Sequence, residues 1–298
     1  MSSYRLEELR YPQLDAFQRN KTLFVIAVSP LEEHGPHLPL GVDAFDAEYF
    51  SDEITRIFLA KHPEWNVVRI PTMYVGSFLF DAAGSIRIRP RTIRNLVVDT
   101  LSSLAKYGFQ HFLISNAHGG PTHLIALEQA ARSVSRRFGV RAVSYSGHLI
   151  WNFLNGRYWE EMKGRLNLSD ADLEALKQDS HAGEWETSMM LKLRPHLVDP
   201  SYKDLNPFTV HWMQRLRPNY PMKMGEKLGY VGHPSRATET LAEVSSIFLT
   251  EKALELIEKE LFSGERLPSS VFYRFRTIAL VTGLILMLII VSLVLLTR

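Results

Sequence analysis

Cysteine is absent from this chain. Its absence removes a disulfide framework, a thiolate metal site and a cysteine nucleophile together. An excess of charge of one sign is missing too, since 34 Lys and Arg stand against 32 Asp and Glu for a formal +2. Arginines gather only locally, at Arg87, Arg89, Arg91 and Arg94 and again at Arg132, Arg136 and Arg137, without interleaved aromatics. A solvated helix face and a strand edge account for both groups, and no nucleic-acid partner is expected. The G-x-S-x-G elbow, the phosphate-binding P-loop and the H-E-x-x-H zinc helix are all lacking. There is no internal repeat and no low-complexity segment. Residues 1–10 are polar and charged, so no amino-terminal signal is expected.

What is present is an ordinary globular composition, 46% hydrophobic and 22% charged, able to bury a core without cross-links. One stretch departs from it. Residues 277–297 contain no charged side chain, and about 20 apolar residues suffice to cross a bilayer as a helix. Arg274 and Arg276 precede this stretch and only Arg298 follows it. The positive-inside rule then puts the body of the protein in the cytoplasm. The expected organisation is one domain over 1–262, a short polar linker over 263–276 and a single-pass C-terminal membrane helix over 277–297.

Along the body, strand-like and helix-like segments alternate. Residues 21–28 read as a strand, 44–61 as a helix and 65–70 as a short β-rich run. An amphipathic helix over 92–107 ends at Gly108, a strand follows over 109–115, Pro121 opens a helix over 121–138, and 140–145 is a further strand. This order predicts an α/β fold, a largely parallel central sheet flanked by helices on both faces. Residues 149–193 look less regular, apart from an acidic helix over 170–177 and an apolar helical run ending at Leu193. Residues 197–220 are loop-like, 230–237 make a turn, and 236–262 form a long amphipathic helix.

Two loops carry the chemistry. The one after the first strand packs Glu32, His34, His37 and Asp43 into a Gly/Pro-rich segment, and Asn116-Ala117-His118-Gly119-Gly120 follows another apolar run. Both fall beyond the carboxyl ends of strands, where open α/β sheets bind ligands. Carboxylate plus imidazole is the donor set of zinc or manganese in hydrolytic sites. Glu32 and His34, two apart, share a side of an extended backbone. Asp43 can bridge two ions with its two oxygens, and His118 would complete the set. Two cations about 3.5–4 Å apart activate a shared water and polarise a substrate oxygen. The plainer alternative makes these loop and capping residues, with Asp43 the N-cap of the next helix; taken together, the spacing favours the metal site. His37 is an orienting residue or a substrate contact. Further on, His181 is a candidate general acid for a leaving nitrogen and Glu186 a candidate ligand, while Glu184 reads as a helix-start carboxylate complementing the dipole.

These segments resemble the creatininase (creatinine amidohydrolase) family over residues 23–237. Residues 32–43 match E-x-H-G-P-H-L-P-L-x-x-D, residues 116–120 match N-x-H-G-G, and residues 181–188 match H-A-G-x-x-E-T-S. Ala83-Gly84-Ser85 is similar to the family's P-G-T turn, and residues 232–237 to its late G-x-P-x-x-A turn. The resemblance implies two divalent ions, zinc first with manganese or iron as alternatives, held by Glu32, His34, Asp43 and His118 with Asp43 as the bridge. It implies Glu186 as the fifth ligand, because position 120 is Gly where creatininase proper has a glutamate. That departure points away from creatinine and toward the H-G-G branch, which includes formamide hydrolases and a peptidase trimming a peptide cofactor precursor. The implied activity is cleavage of a C–N amide bond in a cyclic amide, formamide or small peptide by a metal-activated water, with His181 and Glu186 as catalytic candidates. The implied assembly is a homo-oligomer, hexameric in family members. Glu33 stands where Gln is usual and Pro121 where Asn is usual. These two departures leave an alternative, a membrane-anchored metal- or ligand-binding scaffold with little or no catalysis.

Overall fold

The structure is a computed structural model and describes residues 2–211, 228–264, 266–275 and Met287. Its elements follow in the order β1 (Ser2–Arg5), α1 (Tyr11–Asp15), β2 (Thr22–Ser29), α2 (Val42–Lys61), β3 (Asn66–Tyr74), α3 (Pro90–Ala105), β4 (His111–Ser115), α4 (Pro121–Phe138), β5 (Arg141–Ser144), α5 (Ser146–Leu154), α6 (Trp159–Leu166), α7 (Asp170–Lys177), α8 (Glu184–Leu193) and α9 (Glu239–Phe262). The strands form one sheet in the order β1-β3-β2-β4-β5, and every pairing is parallel. Helices cover both faces, as the alternating pattern led one to expect.

β2 lies at the middle, with all eight residues buried. Its side chains alternate between two cores because successive Cβ atoms point to opposite faces. Leu23 and Val25 join Leu113 and Val143 beneath Ile54 and Phe58 of α2 and Phe248, Leu254 and Ile257 of α9. Phe24, Ile26 and Val28 join Phe112 and Ile114 beneath Ile93, Val97 and Leu101 of α3 and Leu127, Ala130 and Val134 of α4. Burial on both faces is why the strand reads as a continuous apolar run. Each such side chain contributes roughly 1.5–3 kcal/mol on leaving water.

From β2 the chain crosses one face through α2 to reach β3. From β4 it crosses the other face through α4 to reach β5. β2 and β4 are therefore the neighbours whose connections part at their carboxyl ends, the switch point of the sheet. The register, with Ala27 opposite Ser115, ends both strands at one level.

Five elements differ from expectation. β3 runs on past Ile70 to Tyr74. The register against β2 slips between the Ile26–Ile70 and Val28–Met73 pairs, so Pro71, which has no amide to donate, falls in the irregularity. β1 is a polar four-residue edge strand with no apolar run to mark it. Within the stretch that looked irregular, α5 and α6 are short helices parted by Asn155 and Gly156. α9 starts at Glu239, because Pro234–Arg236 form a 3-10 turn and the Thr238 hydroxyl accepts from the Leu241 amide at 3.1 Å.

The expected linker is docked over much of its length. Leu267 and Ser270 are buried. The Ser270 amide donates to Glu128 Oε1 at 3.1 Å, and its hydroxyl donates to the same carboxylate. Among the described residues no helix is long and apolar enough to cross a membrane. The span expected over 277–297 lies outside the described residues, Met287 excepted. The cap at Thr238 gives a simple check on the fold: Thr238→Ala should lower unfolding free energy in urea by about 1 kcal/mol, and Thr238→Ser should retain most of it.

Candidate metal centre

The loop after β2 is pinned at both ends. The Glu32 amide donates to Leu40 O at 3.0 Å, and the Ile86 amide donates to Leu31 O at 3.0 Å. The loop turns at Gly35, whose φ of +68° suits glycine, and runs directly into α2. Gly41 holds the N-cap position of that helix, so the capping role considered for Asp43 is not the one it plays. Its Oδ1 is 3.8 Å from His34 Nε2, and its Oδ2 is 3.1 Å from His118 Nδ1. The loop after β4 is shaped by one amide side chain. Asn116 Oδ1 accepts from the His118 amide at 3.1 Å and from Ser29 Oγ at 2.9 Å, while Asn116 Nδ2 donates to His118 O at 2.8 Å. Ser29 and Asn116 thus tie the ends of β2 and β4 together.

Each imidazole at the site rests on a backbone carbonyl. His34 Nδ1 donates to Glu32 O at 3.0 Å, His118 Nε2 to Ser77 O at 3.1 Å, and His181 Nε2 to Glu33 O at 2.8 Å. A carbonyl only accepts, so each of these nitrogens carries the proton. The opposite nitrogens, His34 Nε2, His118 Nδ1 and His181 Nδ1, are left for another partner. Two groups of three result. Glu32, Asp43 and His118 form one and His34, His181 and Glu186 the other, with the ligating atoms in each within 4.8 Å of one another. Glu32 Oε2 lies 3.2 Å from His118 Nδ1, and Glu186 Oε2 lies 3.6 Å from His34 Nε2. Asp43 faces both groups. Glu32, His34, Asp43, His118, His181 and Glu186, the ligand and catalytic candidates of the sequence, therefore meet in one place. The ring of His181 lies 4.3 Å from that of His34, tilted by 35°, and with Nε2 on Glu33 O it is Nδ1 that remains among the ligand candidates. Proton delivery by His181 would draw on that same Nδ1.

Strained backbone supports both groups. Among the described residues, Phe78 and Ala182 are non-glycine positions near the site with positive φ, +69° and +45°. Phe78 lies between the Ser77 carbonyl that holds His118 and the Phe80 amide that donates to Glu32 Oε1 at 2.7 Å. Ala182 gives its amide to Glu186 Oε2. Such conformations cost about 1–3 kcal/mol each and persist where their surroundings hold them.

The electrostatics are those of a cluster that wants a cation. Burial raises the pKa of Glu32 in spite of His118 and His181. Burial would raise Asp43 as well, yet His118 and His34 hold it below the usual carboxylate range. The imidazoles move the other way. Burial works against charge on His34, but Glu186, Asp43 and Glu32 push its pKa well up. For His118, Asp43 and Glu32 overcome burial and lift it to about 9. His181 is raised too, Glu33, Glu32 and Glu186 outweighing burial and His34. Meanwhile Glu32 Oε2, His34 Nε2 and Asp43 Oδ2 are buried without a hydrogen-bond partner. Orphaned oxygen and nitrogen donors at this separation fit divalent ions such as zinc or manganese.

Residues nearby behave differently. His37 Nε2 pairs with Thr187 Oγ1 at 2.9 Å, and burial, helped by His34, lowers its pKa to about 4. His123 Nε2 donates to Val28 O at 3.1 Å, and burial with His118 beside it lowers it to about 3. Both are neutral rings that wall the site. Glu184 lies outside it, 3.3 Å from Arg236 Nε, and burial raises it to about 7 against that guanidinium. The N-terminus of α8 is capped by Asp179, whose oxygens accept from the Glu184 and Trp185 amides at 2.8 and 2.9 Å. Asp46 and His123 were not singled out from the sequence. Asp46 is buried one turn beyond Asp43 on α2, and burial, then Glu186 and Asp43, drive its pKa well up. Its signal in the sequence was the i, i+3 spacing from Asp43.

Gly120 has a reason to be glycine here. A Cβ would stand 2.3 Å from His118 Nε2 and 2.8 Å from Ser77 O, in the hydrogen bond that orients the ring. A side chain at 120 would displace that ring in this arrangement, and the carboxylates that approach His34 Nε2 are Glu186 at 3.6 Å and Asp43 at 3.8 Å.

Fold and cluster together define a class, parallel α/β proteins with a buried carboxylate–imidazole centre at the switch point of the sheet. Within it, the family pattern described as creatinine amidohydrolase matches residues 7–257, and the chain belongs to the creatininase family of amide-bond hydrolases. The mycofactocin precursor peptide peptidase of Mycolicibacterium smegmatis is 27% identical over 229 residues, covering 76% of this chain and 79% of that protein. Among solved structures, the crystal structure of creatinine amidohydrolase (creatininase) aligns with a TM-score of 0.62 at 18% identity, covering 87% of this chain and 98% of the other. A manganese form of creatininase aligns with a TM-score of 0.62 at 19% identity, over 86% and 99% of the two chains. A Zn–Zn form of a creatininase variant gives 0.63 at 19%, over 88% and 100%. At these identities the structural likeness speaks for the fold.

Two neighbouring glycines separate packing from backbone freedom. A Cβ at Gly119 meets nothing within 4 Å, whereas one at Gly120 meets His118 and Ser77. Gly119→Ala should leave the unfolding free energy in urea nearly unchanged, within about 0.5 kcal/mol, and Gly120→Ala should cost about 1–3 kcal/mol as the ring is displaced.

Proposed function

We propose that this protein is a metal-dependent amidohydrolase that cleaves a C–N amide bond with water. The observation that carries the reading is the convergence of two donor groups, one buried and one half-buried, on a shared Asp43, with Glu32 Oε2, His34 Nε2 and Asp43 Oδ2 left without partners. Glu32, Asp43 and His118 would hold one divalent ion, and His34 and Glu186 the second, with Asp43 between them. When bound, such a pair lowers the pKa of a water and polarises a substrate carbonyl. Zinc is the first choice, with manganese or iron as alternatives. Structural relatives include manganese and zinc forms, which supports those two metals.

The residues of the chain do the rest. The carbonyls of Glu32, Ser77 and Glu33 hold the three rings in one tautomer each. His181, with Nε2 committed to Glu33 O, keeps Nδ1 for delivering a proton to the departing nitrogen. Its raised pKa favours the protonated ring that this role needs. Neutral His37 and His123 add no further positive charge. The substrate is a cyclic amide, a formamide or a short peptide. A relative acting on a precursor peptide supports the last of these, and glycine at 120 counts against creatinine.

We also propose that residues 277–297 anchor the protein in a membrane with its body on the cytoplasmic side, from their lack of charge and the flanking arginines. A homo-oligomer, hexameric by family resemblance, completes the reading.

The decisive measurement is metal content beside turnover on a panel of amides. His34→Ala and Asp43→Ala should lose metal and activity together, and full activity in either would sink the proposal. His181→Asn should keep its metal while turnover drops by about 10²–10⁴; loss of metal in that variant would make His181 a ligand instead.

A further inference from the structure

The segment after α9 is bound to the body by contacts that the catalytic reading does not use. We propose that residues 266–275, strapped along α4, form with the arginines of that helix a basic face that lies against an anionic lipid leaflet. The proposal rests on the membrane-anchor reading and adds to it a fixed orientation and a lipid charge.

The strap is held mainly by arginine. Arg141 donates to Gly264 O at 3.0 Å, Arg266 to Val140 O at 3.3 Å, Arg132 to Leu267 O at 3.4 Å and Arg274 to Ser269 O at 2.7 Å. The Arg132 guanidinium also lies 5.4 Å from the centre of the Tyr273 ring, and Arg136 donates to Arg132 O at 3.3 Å. Arg132, Arg141, Arg266 and Arg274 are thus gathered at the strap, with Arg136 one turn on from Arg132 and Arg137 next to it on the last turn of α4. Their acceptors are mostly carbonyls, which satisfy hydrogen bonds without cancelling charge. Among the described residues, two carboxylates face the cluster from the packed elements, Glu128 against Arg132 at 2.8 Å and Glu260 against Arg141 at 3.7 Å, and both are buried. Arg136, Arg137, Arg266 and Arg274 remain exposed. Glu265 is the single acidic residue of sequence between 261 and 276, so the balance stays positive.

Aromatic residues complete the pattern. Phe275 is 62% exposed at the end of the strap, beside Arg274, and the uncharged stretch of sequence begins two residues later at Thr277. Basic and aromatic side chains next to an apolar span are the composition of a juxtamembrane segment facing anionic lipid. A loose linker would let the body tumble above the bilayer. Here Ser270 is latched to Glu128, so the face beside the strap meets the headgroups first.

The test uses the full chain with Ser269→Cys, a unique label site because the protein has no cysteine of its own. A fluorophore there is quenched with acrylamide, a neutral quencher, in vesicles of phosphatidylcholine alone and of phosphatidylcholine with phosphatidylglycerol. Quenching should fall by about two-fold or more in the anionic vesicles. The difference should vanish in Arg136→Glu/Arg137→Glu and return in Arg136→Lys/Arg137→Lys, both changes lying on exposed positions. Equal quenching in the two lipids, with protein floating in both, would overturn the basic-face proposal while leaving the anchor. Protein that floats with neither vesicle would overturn the anchor reading and this proposal with it.

Discussion

The site depends on one constraint, the parallel pairing of β2 between β3 and β4. A strand buried on both faces and hydrogen-bonded on both edges has no freedom to slide. Its register with β4 brings the two strand ends level, and the Ser29–Asn116 hydrogen bond joins them. From that fixed edge, Glu32 is three residues along one loop and His118 three residues along the other. A slip of one residue in either strand would turn that strand's core side chains to the wrong face and carry the ligand loops apart. The hydrophobic cores above and below the sheet therefore set the separation of charged groups that they never touch.

Those charged groups are held in a balance that packing alone would not maintain. Glu32, Asp43, Asp46 and Glu186 are gathered where water is scarce, and isolated carboxylates there are costly. His34, His118 and His181 offset them by drawing up protons, as their raised pKa values express. His37 and His123, equally enclosed but lacking a carboxylate partner, lose theirs. The division between charged and neutral rings follows the carboxylates, and it marks the side of the site where positive charge is welcome.

Much of this was legible in the chain. The apolar runs gave the buried strands, helical spacing gave α2 through α4, and the two loops announced Glu32, His34, Asp43 and His118 by donor type and spacing. His181 and Glu186 came from a distant segment, and their arrival at the same point depends on the bridge between His181 and Val231, which no local pattern encodes. Asp46 was hidden because an acidic residue on a helix usually faces water; only the packing of α2 shows that it does not. The docked strap was hidden for a related reason. A serine bonded to a buried carboxylate is indistinguishable, as a letter, from one in solvent. Edge strand β1 and the short helices α5 and α6 lacked the length over which periodicity becomes a signal.

The three rings at the site, and His123 beside them, take their orientation from main-chain carbonyls, those of Glu32, Ser77, Glu33 and Val28. Every residue type carries that group. A change of side chain at 33 or 77 thereby leaves in place the carbonyl that fixes a tautomer, provided the loop keeps its path. The side chains there do other work, since the Glu33 carboxylate accepts from the Gly35 amide at 3.1 Å and Ser77 Oγ pairs with Thr122 Oγ1 at 3.0 Å, but for the tautomers what selection must preserve is a shape of backbone, and it can do so through different letters. A chain with an unusual residue at 33 can still build the same centre, and sequence divergence around such a site would understate how little its geometry has moved.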